Sequence, residues 1–335
     1  MINYIRKPAA VALAASGIGG LLRAAGAWRG VLALAYHRVG EGSGSPFDHG
    51  LWSATPDAFD AQVRFLRENF DVIGPGDLAG TLKHRRGRYA LITFDDGYRD
   101  NYEWAFPILR SHGVGATFFV CTGFLDRPRL SWWDEIAWMV RTSGRSALSA
   151  GTWLTAPVVF DEPDRERAVR TLLARYKSLP GEVTGAYLEF LAEATGSGRY
   201  GGSATEMWMT WDMLREMKRA GMWIGGHTAS HPILARLSRP LQDAEIAECR
   251  RRIAAELREP MTRFFSYPNG GPGDFNDDTR SCLADHGVEF AFSYYGGFRR
   301  FDDWDPYDIR RVGVEKEMTL DQFRAVTTLP QVFSR

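Results

Sequence analysis

Seven short apolar runs, separated mostly by single amphipathic stretches, leave few ways to fold this chain. They are VLALAY (31–36), YALITF (89–94), ATFFVC (116–121), MWIGG (222–226), TRFFSY (262–267), EFAFSY (289–294) and RRVGVE (310–315). Runs without polar alternation are strands that need cover on both faces. Helix signals fill the intervals. Thr55-Pro56 opens a stretch with Phe59, Val63 and Leu66 at helical spacing, residues 101–112 end at Gly113, and Thr210 caps WDMLREMKRA before Gly221. Ser238 opens a stretch to about Arg258, residues 276–286 end at Gly287, and a last helix starts at Thr319. The alternation predicts an α/β fold with parallel strands. About seven units favour a closed or nearly closed (β/α) barrel over an open sheet, and 335 residues suit one such barrel.

One interval breaks the rhythm. Residues from about 126 to 207 begin near SWWDEIAWMV and carry two helical patterns, 163–179 and 180–194. They read as a helical insertion, and long insertions of this kind commonly cover a site. Ahead of the barrel (31–335), residues 1–30 read as an N-terminal helix or signal-like segment. Arg6 and Lys7 precede fifteen uncharged residues, with Ala-Gly-Ala at 25–27. A helix packed on the domain or lying at a membrane surface is expected ahead of a cleaved signal. That implies a cytoplasmic or membrane-associated protein, with peripheral membrane association through this segment, rather than a secreted one.

Charge narrows the partners. Lys+Arg and Asp+Glu both number 41, so the basic excess of a nucleic-acid partner is missing. Cys121, Cys249 and Cys282 form no CxxC pair and imply neither a disulfide framework nor a cysteine zinc site.

Residues of catalytic type follow four of the strands: Tyr36-His37, Asp95-Asp96-Gly97, His227 with His231, and Tyr267-Pro268-Asn269-Gly270. Barrel enzymes build their sites at these C-terminal strand ends. His227 and His231, four apart in a turn or first helical turn, place both rings on one side, and one aspartate completes a two-His-one-carboxylate set for a divalent ion. The two neighbouring aspartates leave the strand in different directions, so one can bind the ion while the other faces its water.

TFDDGYRDNY (93–102) with HTASHP (227–232) resembles the paired signature of the polysaccharide deacetylase family, which includes nodulation-type chitooligosaccharide deacetylases. AYHRVG (35–40) and MTWDMLREMKRAGMWIGGH (209–227) read like further family segments. The resemblance implies a distorted (β/α) barrel and a metal-dependent hydrolase that removes N-acetyl groups from an amino-sugar-containing glycan with one divalent ion, zinc. It implies Asp95 as general base, Asp96, His227 and His231 as ligands, and Asn269 with Tyr267 as substrate and oxyanion residues. Two departures stand out. FFSYPNGG is the Phe-x-Tyr-Pro variant, with Ser266 where many members carry an arginine that contacts the base. The late Leu-x-His motif that supplies the general acid is missing, and His286 sits too near a helix end to replace it. His37 is therefore the expected acid. Trp132, Trp133, Trp208, Trp211 and Trp304 could stack on sugar rings, although tryptophans more often serve packing. Two rival readings are a deacetylase-like glycan-binding protein without catalysis and a non-haem iron oxygenase.

Overall fold

Each of the seven apolar runs forms a strand in the computed structural model of the chain, which describes residues 18–24, 26, 28–42, 44–160, 165–258 and 263–333. The strands are β1 (Gly30–Tyr36), β2 (Arg88–Phe94), β3 (Thr117–Val120), β4 (Trp223–Gly226), β5 (Phe264–Ser266), β6 (Phe290–Ser293) and β7 (Ile309–Gly313). All are parallel, in the ring order β1-β7-β6-β5-β4-β3-β2, and the β1–β2 pairing closes the barrel. The seams are unequal. β1 and β2 pair from Gly30↔Arg88 to Tyr36↔Phe94, whereas β4 and β5 meet in register only at Phe265↔Gly226. This unevenness is the distortion. The other edge of β2 is shared between a short strand, Asp71–Val72, and β3.

Nine helices matter here: α1 (Pro56–Asn69), α2 (Phe106–His112), α3 (Trp132–Thr142), α4 (Arg165–Ser178), α5 (Thr184–Thr195), α6 (Trp211–Arg219), α7 (Arg239–Leu257), α8 (Asp277–Asp285) and α9 (Leu320–Thr328). Their starts follow the expected signals. The side chains of Thr55, Thr210, Asn276 and Thr319 each accept a backbone N–H of the first turn. Residues 101–112 differ in detail, because Asn101–Ala105 is wound as a π-turn before α2.

Successive strand residues face opposite ways, which builds two layers. Leu32, Leu34, Ile92, Phe94 and Phe118 point outward and pack with Phe59, Val63 and Leu66 of α1. Val31, Ala33, Leu91, Phe119, Phe292 and Ile309 fill the barrel interior. Each large apolar side chain so buried contributes roughly 1.5–3 kcal/mol.

The insertion forms a third body of packing. Trp133, Ile136, Val140, Leu172, Tyr187 and Leu191 make a core of their own, joined to the barrel at Tyr98, Phe124 and Trp208. The two helical patterns appear as α4 and α5, and residues 161–164, where the first was expected to begin, lie outside the described residues. A hairpin of Ala147–Leu148 and Val158–Val159 was not foreseen, since two-residue strands carry no readable alternation. Of the N-terminal segment, the helix Ile18–Ala24 lies against α9, and residues 1–17, which carry most of the signal-like pattern, are outside the described residues. Among the described residues, no helix is long and apolar enough to cross a membrane.

The β3–β4–β5 seam needs Gly225. A Cβ there would sit 2.4 Å from Phe119 Cδ1 and 3.0 Å from the Phe264 carbonyl oxygen. Gly225→Val should therefore destabilise the fold by ~1–3 kcal/mol through overpacking. Urea unfolding should show a lower midpoint with an unchanged slope, and a wild-type midpoint would contradict this account of the seam.

Candidate active site

The C-terminal strand ends open on one cavity of about 510 Å³, within the ~300–1,000 Å³ range of small-molecule sites. His37 after β1, Asp95 and Asp96 after β2, His227 and His231 after β4, and Asn269 after β5 all line it. The four strand ends singled out in the sequence thus share one mouth.

The backbone at that mouth is unusual. Among the described residues, six non-glycine residues have positive φ, and four are here: Asp96 (75°), Thr228 (65°), His231 (60°) and Asn269 (61°). The other two, Arg85 and Arg258, cap helix C-termini, where this conformation is ordinary. A left-handed, β-branched Thr228 is strained by roughly 1–2 kcal/mol. Hydrogen bonds hold it there. Its Oγ1 donates to the His227 carbonyl (2.5 Å) and accepts the His231 N–H (2.9 Å). Glu245 of α7 accepts the N–H groups of Ala229 (3.0 Å) and Ser230 (2.9 Å). The two histidines converge through this turn rather than along a helix.

The imidazole Nε2 atoms of His227 and His231 lie 3.4 and 3.3 Å from Asp96 Oδ1. The three prospective ligand atoms fall within 4.8 Å of one another. Asp96 Oδ1 is buried and makes no well-formed hydrogen bond. His227 Nδ1–H donates to the Ser266 carbonyl at 2.7 Å; since a carbonyl only accepts, it is Nε2 that carries the lone pair in the neutral ring. One carboxylate oxygen and two imidazole nitrogens facing a cavity fit a divalent ion with an open position. Burial pushes the Asp96 carboxyl up, but the two histidines outweigh it and hold it well below the usual carboxylate range. Burial lowers His231, whereas in His227 the two aspartates overcome burial and raise it.

Asp95 faces a different set of partners. Arg311 of β7 grips it with two bonds, Nη1 to Oδ1 and Nη2 to Oδ2, both 2.7 Å. Ser266 Oγ donates to Oδ2 at 3.1 Å. Arg311 is fully buried, and its remaining N–H groups reach Thr93 Oγ1 (3.0 Å), Ser266 Oγ (2.8 Å) and the Ser293 carbonyl (3.0 Å). Burial raises the Asp95 carboxyl, yet the guanidinium and His227 bring it below its ordinary value. Ser266 therefore does not leave Asp95 without an arginine. The guanidinium comes from another strand, with Ser266 as a bridge. The signal was the Arg310-Arg311 pair inside a barrel strand, because a charge buried there must find a partner.

His37 reaches the cavity with its ring edge-on to Tyr294 at 5.4 Å. Its N–H donates to Ser53 Oγ (2.9 Å), and its carbonyl accepts Asn101 Nδ2 (2.7 Å). Asp100 accepts Arg38 Nε (2.8 Å) and the Val39 N–H (3.1 Å). The tail of TFDDGYRDNY thus holds the turn that carries His37, a task the sequence reading did not assign to it. His286 lies elsewhere, 2.8 Å from Asp243.

Asn269 is on the cavity, its side chain bonded to Asp274, and its backbone N–H meets no acceptor among the described residues. Tyr267, expected beside it as a substrate residue, is a correction. Its ring stacks on Phe275 at 4.0 Å, its hydroxyl donates to the Tyr307 carbonyl (2.8 Å), and its N–H serves Phe292 (3.0 Å). No donor is left for a substrate. Of the five tryptophans, Trp132 and Trp133 line the cavity. One face of Trp132 is covered by Tyr176 at 4.1 Å. Trp208 is sandwiched between Tyr98 and Phe124, Trp211 bonds Asp126, and Trp304 packs on Phe290.

The sequence profile described as Polysaccharide deacetylase matches residues 83–167 and 180–291. The polysaccharide deacetylase homologue YxkH of Bacillus subtilis (strain 168) is 38% identical over 66 residues, which are 18% of this chain and 24% of that protein. The chain thus spans about a quarter of the length of the curated relative it matches. The Streptococcus pyogenes deacetylase PplD, solved with acetate, superposes with a TM-score of 0.59 at 18% identity, over 91% of this chain and 98% of that one. IcaB from Ammonifex degensii gives 0.56 at 20% identity, over 90% and 97%. At these identities the likeness to the solved structures is one of fold.

The Arg311 clamp sets a stability test. Asp95 has a depressed folded-state value, so its contribution to stability is full above the ordinary carboxylate value and disappears as pH falls through the folded one. Arg311→Met strands a buried carboxylate, at a cost of roughly 3–5 kcal/mol near neutral pH. It also leaves burial to raise Asp95, so stability should grow as pH drops toward the acid range, opposite to wild type. Denaturant midpoints measured from about pH 2 to 8 check both signs, because the wild-type loss lies below the ordinary carboxylate value, and parallel curves would sink the assignment.

Proposed function

Because the chain belongs to the polysaccharide deacetylase family, we propose that it removes N-acetyl groups from an amino-sugar-containing glycan, using one zinc ion held by Asp96, His227 and His231. The observation that carries this reading is the meeting of that ligand set with an arginine-clamped Asp95 on one cavity. A divalent ion, when bound there, supplies Lewis acidity toward an acyl oxygen and makes a water more acidic.

The rest of the chemistry falls to the chain. Arg311 and Ser266 keep Asp95 ionised and fix its plane. Oδ1 accepts only one of those bonds and retains a lone pair for the proton of an attacking water. The Asn269 N–H is available to the oxygen that gains charge as the amide carbon becomes tetrahedral. An amide nitrogen leaves poorly unless protonated, and His37 is the group assigned to that step. The insertion, with Trp132 and Trp133 at the cavity wall, limits water around the reacting atoms. Arg311 favours catalysis over the inactive reading, since it fills the place that Ser266 left open. It also argues against an oxygenase, which has no use for a clamped base.

Asp95→Asn should retain the metal and lose at least ~100-fold in acetate release, whereas His231→Ala should lose metal and activity together. Metal analysis beside an acetate assay on an N-acetylglucosamine oligomer reads both. Full metal occupancy in His231→Ala would refute the ligand set.

His37→Ala should keep its metal and lose ~100-fold or more on the amide. Hydrolysis of an acetate ester, whose leaving oxygen needs less help, should fall much less. Equal losses on the two substrates would remove His37 from the donor role.

A further inference from the structure

The insertion presents one stripe of α4 to the cavity. Arg170, Leu173 and Lys177 all line it, and their three- and four-residue spacing puts them on one helical face. Leu173 is buried, so the stripe has an apolar centre flanked by two cations. Among the described residues, neither cation is engaged by a side-chain bond. Arg141 pairs with Glu166, and Arg175 of the same helix donates to the Trp153 carbonyl. Arg170 and Lys177 have no hydrogen bond or ion pair through their side chains among the described residues.

The carboxylates around Lys177 are otherwise engaged. Asp48 and Asp274 act on it from a distance. Asp48 accepts the Gly50 N–H (2.9 Å), and burial raises its carboxyl. Asp274 accepts the Gly271 N–H (2.8 Å) and the Asn269 side chain. Glu315, the other carboxylate of the wall outside the catalytic set, lies near Tyr294. Burial pulls the Lys177 ammonium down, which marks lost hydration without a replacement partner. A half-buried cation facing a cavity gains most from an anion that enters with the ligand.

We propose that Lys177 and Arg170 form an anion subsite in the deacetylation cavity, so that the substrate is an acidic glycan with a carboxylate or phosphate near the acetamido sugar. The word glycan rests on the function proposed above; the anion subsite does not. Lys177, partly desolvated, carries the larger share, and exposed Arg170 the smaller one.

The test titrates the full chain, following the fluorescence of the cavity tryptophans, with three probes. They are a neutral N-acetylglucosamine tetramer, a hyaluronan tetrasaccharide (carboxylate) and N-acetylglucosamine 1-phosphate (phosphate). At least one acidic probe should bind roughly 10-fold or more tightly than the neutral one at low salt. That ratio should collapse toward one in Lys177→Met/Arg170→Gln and at high salt. Whichever acidic probe keeps the advantage identifies the anion. A ratio near one in wild type, absence of binding by every probe, or a ratio untouched by the double substitution overturns the subsite. Acetate release is scored separately. An acidic probe bound through these residues but never deacetylated leaves the subsite standing and rejects the deacetylase reading. Deacetylation without preference does the reverse.

Discussion

A buried ion pair inside the barrel, Arg311 with Asp95, organises the rest of the site. Five guanidinium N–H groups find acceptors on β2, β5, β6 and the Asp95 carboxylate, so one side chain ties together four segments of the ring. Such a pair is a weak source of stability, because removing two charges from water costs about what their attraction returns. What it secures is a charge state and an orientation. Asp95 stays a carboxylate at the floor of a cavity where burial alone would raise its pKa.

The mouth above that pair is built from backbone that most residues avoid. Asp96, Thr228, His231 and Asn269 all sit at positive φ, and of these Asp96, His231 and Asn269 line the cavity. The strain persists because it is over-determined. Glu245 clamps the histidine loop from α7, and Gly123 of the segment after β3 donates to the Ala229 carbonyl at 2.8 Å. The insertion adds a second support. Trp133 packs 4.3 Å from His231 and donates to the Tyr98 hydroxyl, which donates in turn to Asp134. Insertion and candidate ligand set are therefore one packed unit, and the same insertion presents the α4 stripe to the cavity.

The arginine shows how one physical requirement can be met from different places in a chain. A carboxylate buried in a barrel needs a fixed cation to stay ionised, and the cation can reach it from any strand whose inward residue lies at the right height. Here β7 supplies it, and a serine on β5 relays the contact. Because the barrel is closed, residues 216 positions apart become neighbours.

Strand runs, helix caps and the strand-end placement of Asp95, Asp96, His227, His231, His37 and Asn269 were legible in the sequence, because periodicity, capping and local motifs are written in neighbouring residues. The alternation of parallel strands with helices and the helical insertion follow from that local code. The partner of Asp95, the exclusion of Tyr267 and the positioning duties of Asp100, Asn101 and Glu245 were not legible. Each depends on contacts between segments far apart in the chain, fixed by which strands adjoin and which way each residue faces. Local pattern names the reactive groups; only closure of the barrel decides which cation, turn and insertion residue each of them meets.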